Sequence, residues 1–462
     1  MLGVKMGRYR SGAIALATMF VVGISPVAVS AQSLTDALIS AYRNSQQLKS
    51  DRAALRATDE GVAAVIAGKR PSLTASYSTG ATYFASTSAT TYAASLTLSS
   101  QLTLWDGGDT ALRADLARKQ VDIGRQNLVL AEQTVLLDAV TAFMDMRRDF
   151  QFLQLSDNNR SVIAQQVQAT RDRFEVGEVR RTDVSQAEAR LAAGQSIVAL
   201  RQGTLEISRE GYHAATGTYP DILQAPPILP RFPASLEAAK SIALRGHPSV
   251  LIAQHAAEIA DLNIGRAEAA MKPTLALSGS VGINANAATG DTANITLGGT
   301  APIYQGGRLT SAMRSAIALR DQSRSDIQLA GIRISLGVTR SWSQIQIARA
   351  SIVARQKEVR SSRVALRGIR EEVSLGARTT LDVLDAEQDL LEAETNLVSA
   401  KRDEYVAVYS LLSAMGLLTV KHLGLGIKTY DATENYRKVQ TAPGPSDRGK
   451  LLKKIFERAG KK

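Results

Sequence analysis

Residues 71–104 read PSLTASYSTGATYFASTSATTYAASLTLSSQLTL, a stretch without a single charged side chain. Leu73, Ala75, Tyr77, Thr79, Ala81 and Tyr83 alternate with Ser72, Thr74, Ser76, Ser78, Gly80 and Thr82. After a Ser/Thr/Ala loop, Tyr92, Ala94, Leu96, Leu98, Leu102 and Leu104 alternate with small or polar residues. A period of two predicts a β-hairpin over 72–104 with one apolar and one small polar face. A soluble sheet places Lys, Glu or Arg on its wet face. Ser, Thr, Gly and Gln opposite apolar residues, in strands of about ten residues, describe the wall of a transmembrane β-barrel.

The pattern is written twice. Residues 273–307 contain one charge, Asp291, before Arg308, and Leu275, Leu277, Val281 and Ile283, then Ile295, Leu297, Ala301 and Ile303, predict a second hairpin over 274–303. Around the hairpins the whole chain repeats. Residues 33–78 align with 235–280 at an offset of 202: Ser33, Leu34, Ala37, Ala41 and Arg43 return as Ser235, Leu236, Ala239, Ala243 and Arg245. After one three-residue length change the offset is 199. Gly107-Gly108 returns as Gly306-Gly307, Gly177 as Gly376, Asp183-Val184 as Asp382-Val383, Ala187-Glu188 as Ala386-Glu387, and Gly217 as Gly416. One gap in about 180 aligned residues means two copies of one structural unit.

Four strands cannot close a membrane barrel, which starts at about eight. Open edges in lipid leave backbone groups unpaired at several kcal/mol each. The chain must therefore share a barrel with copies of itself, two for eight strands or three for twelve.

The rest of each unit is helical. Amphipathic helices over 33–69 and 235–271 end at Pro71 and Pro273, where the ring removes the next donor. After the Gly-Gly pairs, about 65 residues without proline run to Gly177 and Gly376, which at ~1.5 Å per residue is ~100 Å of helix. Return helices follow over 182–216 and 380–415. Long antiparallel helices of this composition form coiled-coil walls. They lie on one side of the membrane, because each hairpin returns the chain to the side it left.

Net charge on the 462 residues is +12, but it sits at the ends: residues 1–31 carry +3 and 417–462 carry +7. The nearly neutral body argues against a nucleic-acid surface. Lys5, Arg8 and Arg10, the apolar run Gly12 to Ile24 and the small residues Val29-Ser30-Ala31 predict a signal peptide over 1–31. No later stretch reaches 18 consecutive apolar residues, so no transmembrane helix is expected. The absence of cysteine removes disulfides and thiolate metal sites. His213, His247, His255 and His422 lack ligand spacing. Residues 444–450 resemble a phosphate loop, but Leu451 replaces its Ser/Thr and no strand precedes it. No catalysis, cofactor or resident metal is expected. Lys450 to Phe456 reads as a basic amphipathic turn or as a solvated tail.

Across 32–416 the chain resembles the TolC family of outer-membrane channel-tunnel proteins. Leu104-Trp105-Asp106-Gly107-Gly108, Arg173-Phe174-Glu175-Val176-Gly177 and the run from Gly376 to Glu387 (GARTTLDVLDAE) carry the resemblance. It implies a homotrimer, and hence an α+β membrane protein, internally duplicated, whose four transmembrane strands per chain join a shared 12-strand barrel above a periplasmic tunnel of antiparallel helices. It also implies docking on a periplasmic adaptor and an inner-membrane transporter, with the barrel against outer-membrane lipid.

The resemblance assigns site residues as well. Asp382 and Asp385, at i and i+3 on one helix face, match a family pair ringing the periplasmic entrance, where six carboxylates would crowd, titrate at raised pH and attract blocking cations. Read from spacing alone, Thr379-x-x-Asp382 is equally a capping box. Arg378 matches a latch arginine that reaches the neighbouring hairpin, here at Thr182 and Asp183; the bland alternative is a solvated surface charge. A family tyrosine latch falls on Val373 and is missing. Val176, Gly177, Leu375 and Gly376 mark the tips where the adaptor docks, although a tight turn alone explains both glycines.

The expected organisation is a signal peptide (1–31), a first repeat (32–217), a Pro-rich linker (218–234), a second repeat (235–416) and a basic tail (417–462). The expected function is the exit duct of a tripartite efflux pump or type I secretion system, passive and gated at its periplasmic end. The alternative is a trimeric coiled-coil surface adhesin anchored by its barrel.

Overall fold

The computed structural model describes residues 32–285 and 290–440, with Lys450 and Lys454. The expected signal peptide and almost all of the tail beyond 440 lie outside the described residues. The first half runs α1 (Leu34–Asn44), α2 (Gln46–Ala67), β1 (Ser72–Phe84), β2 (Ala89–Trp105), α3 (Asp109–Glu175) and α4 (Arg181–Thr216). The same order recurs as α5 (Leu236–Gly246), α6 (Pro248–Ala269), β3 (Thr274–Asn284), β4 (Thr292–Thr300), α7 (Arg308–Ser374) and α8 (Thr380–Ala414). A short α9 (Glu434–Val439) follows.

Each opening helix is broken in two, where the sequence predicts one. At Ser45 the backbone turns extended (ψ 121°) and Oγ accepts from the Leu48 N–H, 3.3 Å. At His247 (ψ 131°) the cause is Pro248, whose ring disfavours helical geometry in the residue before it. His247 Nδ1 accepts from the Ser249 N–H at 3.1 Å. This histidine is buried, and burial lowers its pKa, so it serves as a neutral helix cap.

The strands form one antiparallel sheet in the order β1-β2-β3-β4, and the β2–β3 pairing joins the two halves. Register aligns like with like. Tyr77 pairs with Leu96 and Leu96 with Ile283; Leu98 faces Val281 across β2–β3, and Leu277 faces Leu297 across β3–β4. The alternate rows are Ser78–Ser95–Asn284 and Thr74–Ser99–Ser280–Asn294. Each row therefore lies on one face. A bulge interrupts β2 between Thr103 and Trp105. β1 and β4 are the open edges, and Tyr77, Tyr92, Ile295 and Leu297 are exposed. β4 stops at Thr300, three residues short of the expected hairpin end.

α3 and α7 are each 67 residues long, about 100 Å by helical rise. α3 contains a window apolar enough to cross a membrane by length and composition. Its Leu136, Val140 and Phe143 instead fill the main core with Leu34, Leu38 and Tyr42 of α1, Leu48 of α2, Tyr212 of α4, and Tyr409 and Leu412 of α8. A second core joins Ala239 and Ala243 to Val338, Ile345, Val408 and Leu411.

The first part of the expected basic tail, residues 417–440, packs against the helices. Leu418 and Val420 complete the main core. The Arg52 guanidinium lies 4.9 Å from the Tyr42 ring centre and 5.2 Å from that of Tyr430. Asn435 Nδ2 donates to the buried Asp59 carboxylate at 2.9 Å. Residues 417–440 are thus a strap across α1–α3.

Candidate functional site

The two long hairpins, α3–α4 and α7–α8, end in matching turns. Gly177 N–H donates to the Phe174 carbonyl and Glu178 N–H to the Arg173 carbonyl; Gly376 and Ala377 make the same two bonds to Val373 and Glu372. This double closure needs a left-handed residue, and the φ values are +79° and +74°. A Cβ at either glycine would meet nothing within 4 Å, so conformation and not crowding demands glycine. Val176 and Leu375 point outward at 71% and 83% exposure.

Beyond each tip an acid caps the return helix. The Asp183 carboxylate accepts from the Arg180 backbone N–H at 3.0 Å. Asp382 accepts from the Thr379 N–H (2.8 Å) and hydroxyl (2.7 Å), while the Asp382 N–H returns to Thr379 Oγ1 at 3.4 Å. These bonds favour the ionised form and hold the Asp382 carboxyl below the usual carboxylate range. Within one chain the capping box is present.

Arg378 Nε donates to Glu372 at 2.9 Å, and Nη1 lies 3.8 Å from Asp382. Inside the protomer it therefore pairs with its own hairpin, not with Asp183. Arg378 and Asp183 nevertheless line one cleft of about 440 Å³, with Arg173, Arg180 and Val373. Thr182 is exposed in the first turn of α4. Val373 packs against Leu366, Val383 and Ala386.

Asp385 is engaged too. Arg190 Nη2 of α4 lies 2.5 Å from its Oδ1, joining the two hairpins. Beside this pair Leu384 is buried among Ile163, Val167 and Ala187. Arg171 pairs with Glu188, and Arg370 with the buried Glu387, each across one hairpin. Sequence reasoning missed all of these, although Arg171 and Arg370 recur at the same offset as Glu188 and Glu387. Among the described residues no cluster of His, Cys, Asp and Glu could hold a metal.

A charge-free four-stranded sheet is thus joined to two pairs of long helices. The description "Outer membrane efflux protein" matches residues 38–218 and 240–417. The chain belongs to this outer-membrane efflux family. It is similar to outer membrane efflux protein BepC of Brucella suis, with 35% identity over 88% of this chain and 91% of that one. Outer membrane protein TolC of Vibrio cholerae is 27% identical over 87% and 95%. The solved Campylobacter jejuni CmeC outer membrane channel shares the fold, with a TM-score of 0.71 at 16% identity over 88% and 89%. The family match runs through both halves, and the adhesin alternative is left without support.

Proposed function

We propose that the chain is the outer-membrane exit duct of a tripartite efflux pump or type I secretion system. The observation that carries this reading is the sheet: four strands, uncharged apart from Asp291 near its rim, with β1 and β4 unpaired at its edges. Lipid does not tolerate such edges. Three copies, the number that the TolC family uses, would pair each β4 with the next β1 and close a barrel of about twelve strands. The helices below would then line a tunnel of ~100 Å, formed from a first repeat (32–217) and a second (235–416) joined by the 218–234 linker.

In this reading Asp382 and Asp385 ring the periplasmic entrance. The exposed Val176-Gly177 and Leu375-Gly376 turns offer apolar contacts to an adaptor that recruits an inner-membrane transporter. The Arg378 latch reaches Thr182 and Asp183 of the neighbouring hairpin, in exchange for the Glu372 pairing. The duct is passive, and its partners supply the energy.

Single-channel conductance of the purified protein in a planar bilayer tests this. A small, steady conductance blocked by divalent cations, with block relieved in Asp382→Ala/Asp385→Ala, is the expected result. No conductance, even with Arg378 removed, overturns it.

A further inference from the structure

The pairs Arg171–Glu188, Arg370–Glu387 and Arg378–Glu372 each stay within one hairpin. Arg190–Asp385 crosses from α4 of the first hairpin to α8 of the second. The pair has no charged counterpart at the repeat-related positions. At the offset of 199, Arg190 corresponds to Asp389, and Asp385 corresponds to Gln186. The contact related to it by the repeat would join Gln186 to Asp389, which carry no opposite charges.

We propose that Arg190 sets the ion selectivity of the periplasmic mouth by neutralising Asp385 while the two hairpins of a protomer stay joined. The inference rests on the channel reading above. Both side chains are about half exposed, 45% and 52%, and so lie within reach of permeating ions. A pair this exposed contributes little holding strength. The buried seat of Leu384 between Ile163, Val167 and Ala187 does the holding, and the ion pair governs charge. When the hairpins part, Arg190 leaves with α4 and Asp385 with α8. Opening then unmasks a carboxylate, and the open mouth attracts cations more strongly than the closed one.

The test is the reversal potential across a bilayer under a KCl gradient, with conductance recorded alongside. Arg190→Gln should raise the cation-over-anion permeability ratio by roughly two-fold or more, and Asp385→Asn should lower it. Arg190→Lys, which keeps the charge, and the exchange Arg190→Asp/Asp385→Arg should both stay near the wild-type ratio. Leu384→Ala should raise conductance by loosening the seat. An unaltered ratio in conducting Arg190→Gln and Asp385→Asn channels overturns the inference alone. A wild-type protein that never conducts overturns the channel reading, and the inference with it.

Discussion

Arg378 rests on Glu372, 2.9 Å away and six residues earlier in the chain, on the far side of its own hairpin turn. Any latch between Arg378 and Asp183 of the neighbouring hairpin therefore competes with a partner already in place. Asp183 is likewise occupied, by the Arg180 N–H. Glu372→Gln removes the competitor and should favour the closed latch, lowering closed-state conductance. Arg378→Ser should raise it, and Glu372→Gln should have no further effect in that background. An increase in conductance from Glu372→Gln alone would show that Glu372 itself holds the entrance shut.

Asp382 gives the tip a pH dependence whose sign is fixed by its hydrogen bonds. Its folded pKa lies below the ordinary value of 3.8, chiefly through the Thr379 backbone bond and then the Thr379 hydroxyl. The cap's contribution is complete above 3.8 and is lost as pH falls through the lower folded value. A spin label at Ala377 should stay ordered at neutral pH and become mobile in acid. Asp382→Asn should leave the label mobile at every pH, and a label that ignores pH in the wild type would contradict the cap.

Legibility in the sequence divided by range. The strands were readable because a period of two and the absence of charge persist over the whole of 71–104. Hairpin lengths followed from two Gly-Gly pairs and two tip glycines, whose backbone angles leave few alternatives. Breaks at Ser45 and His247 interrupt helices that remain amphipathic on both sides, so periodicity passes over them; Pro248 was the visible signal. The strap at 417–440 was hidden because net charge was counted over a segment whose apolar residues, Leu418 and Val420, do the packing. At the tips, capping was legible from Thr379-x-x-Asp382. Arg190–Asp385, separated by 195 residues, needed the two hairpins placed side by side.

The strap is anchored by a carboxylate that tolerates no loss of its partner. Asp59 is 1% exposed; Oδ2 accepts from Asn435, while Oδ1 has no hydrogen bond among the described residues. Asn435→Leu should therefore cost about 1–3 kcal/mol, the penalty for a buried polar group left unsatisfied. Adding Asp59→Leu should recover much of it. Thermal unfolding reads the first effect, and trypsin cleavage at Lys428 and Arg437 reads release of the strap. Equal stability of Asn435→Leu and wild type would mean that the strap contributes nothing through this contact.

The number of chains around the barrel is open to a direct chemical count, because the protein contains no cysteine. β1 and β4 are the sheet's free edges, so in a closed barrel each β4 lies about 4.8 Å from a neighbour's β1. Cysteine pairs scanned along the two edges, beginning with Ser76→Cys and Thr296→Cys, should form disulfides between chains at one register and at its neighbours of the same facing. Denaturing electrophoresis should then show dimers and trimers, and a fully oxidised sample should collect as the closed trimer. Disulfide geometry limits the Cα separation to about 7 Å, so cross-linking at a single register also fixes the barrel's stagger. A ladder ending at dimers would select the eight-strand solution, and the entrance would then carry two copies of each acid instead of three.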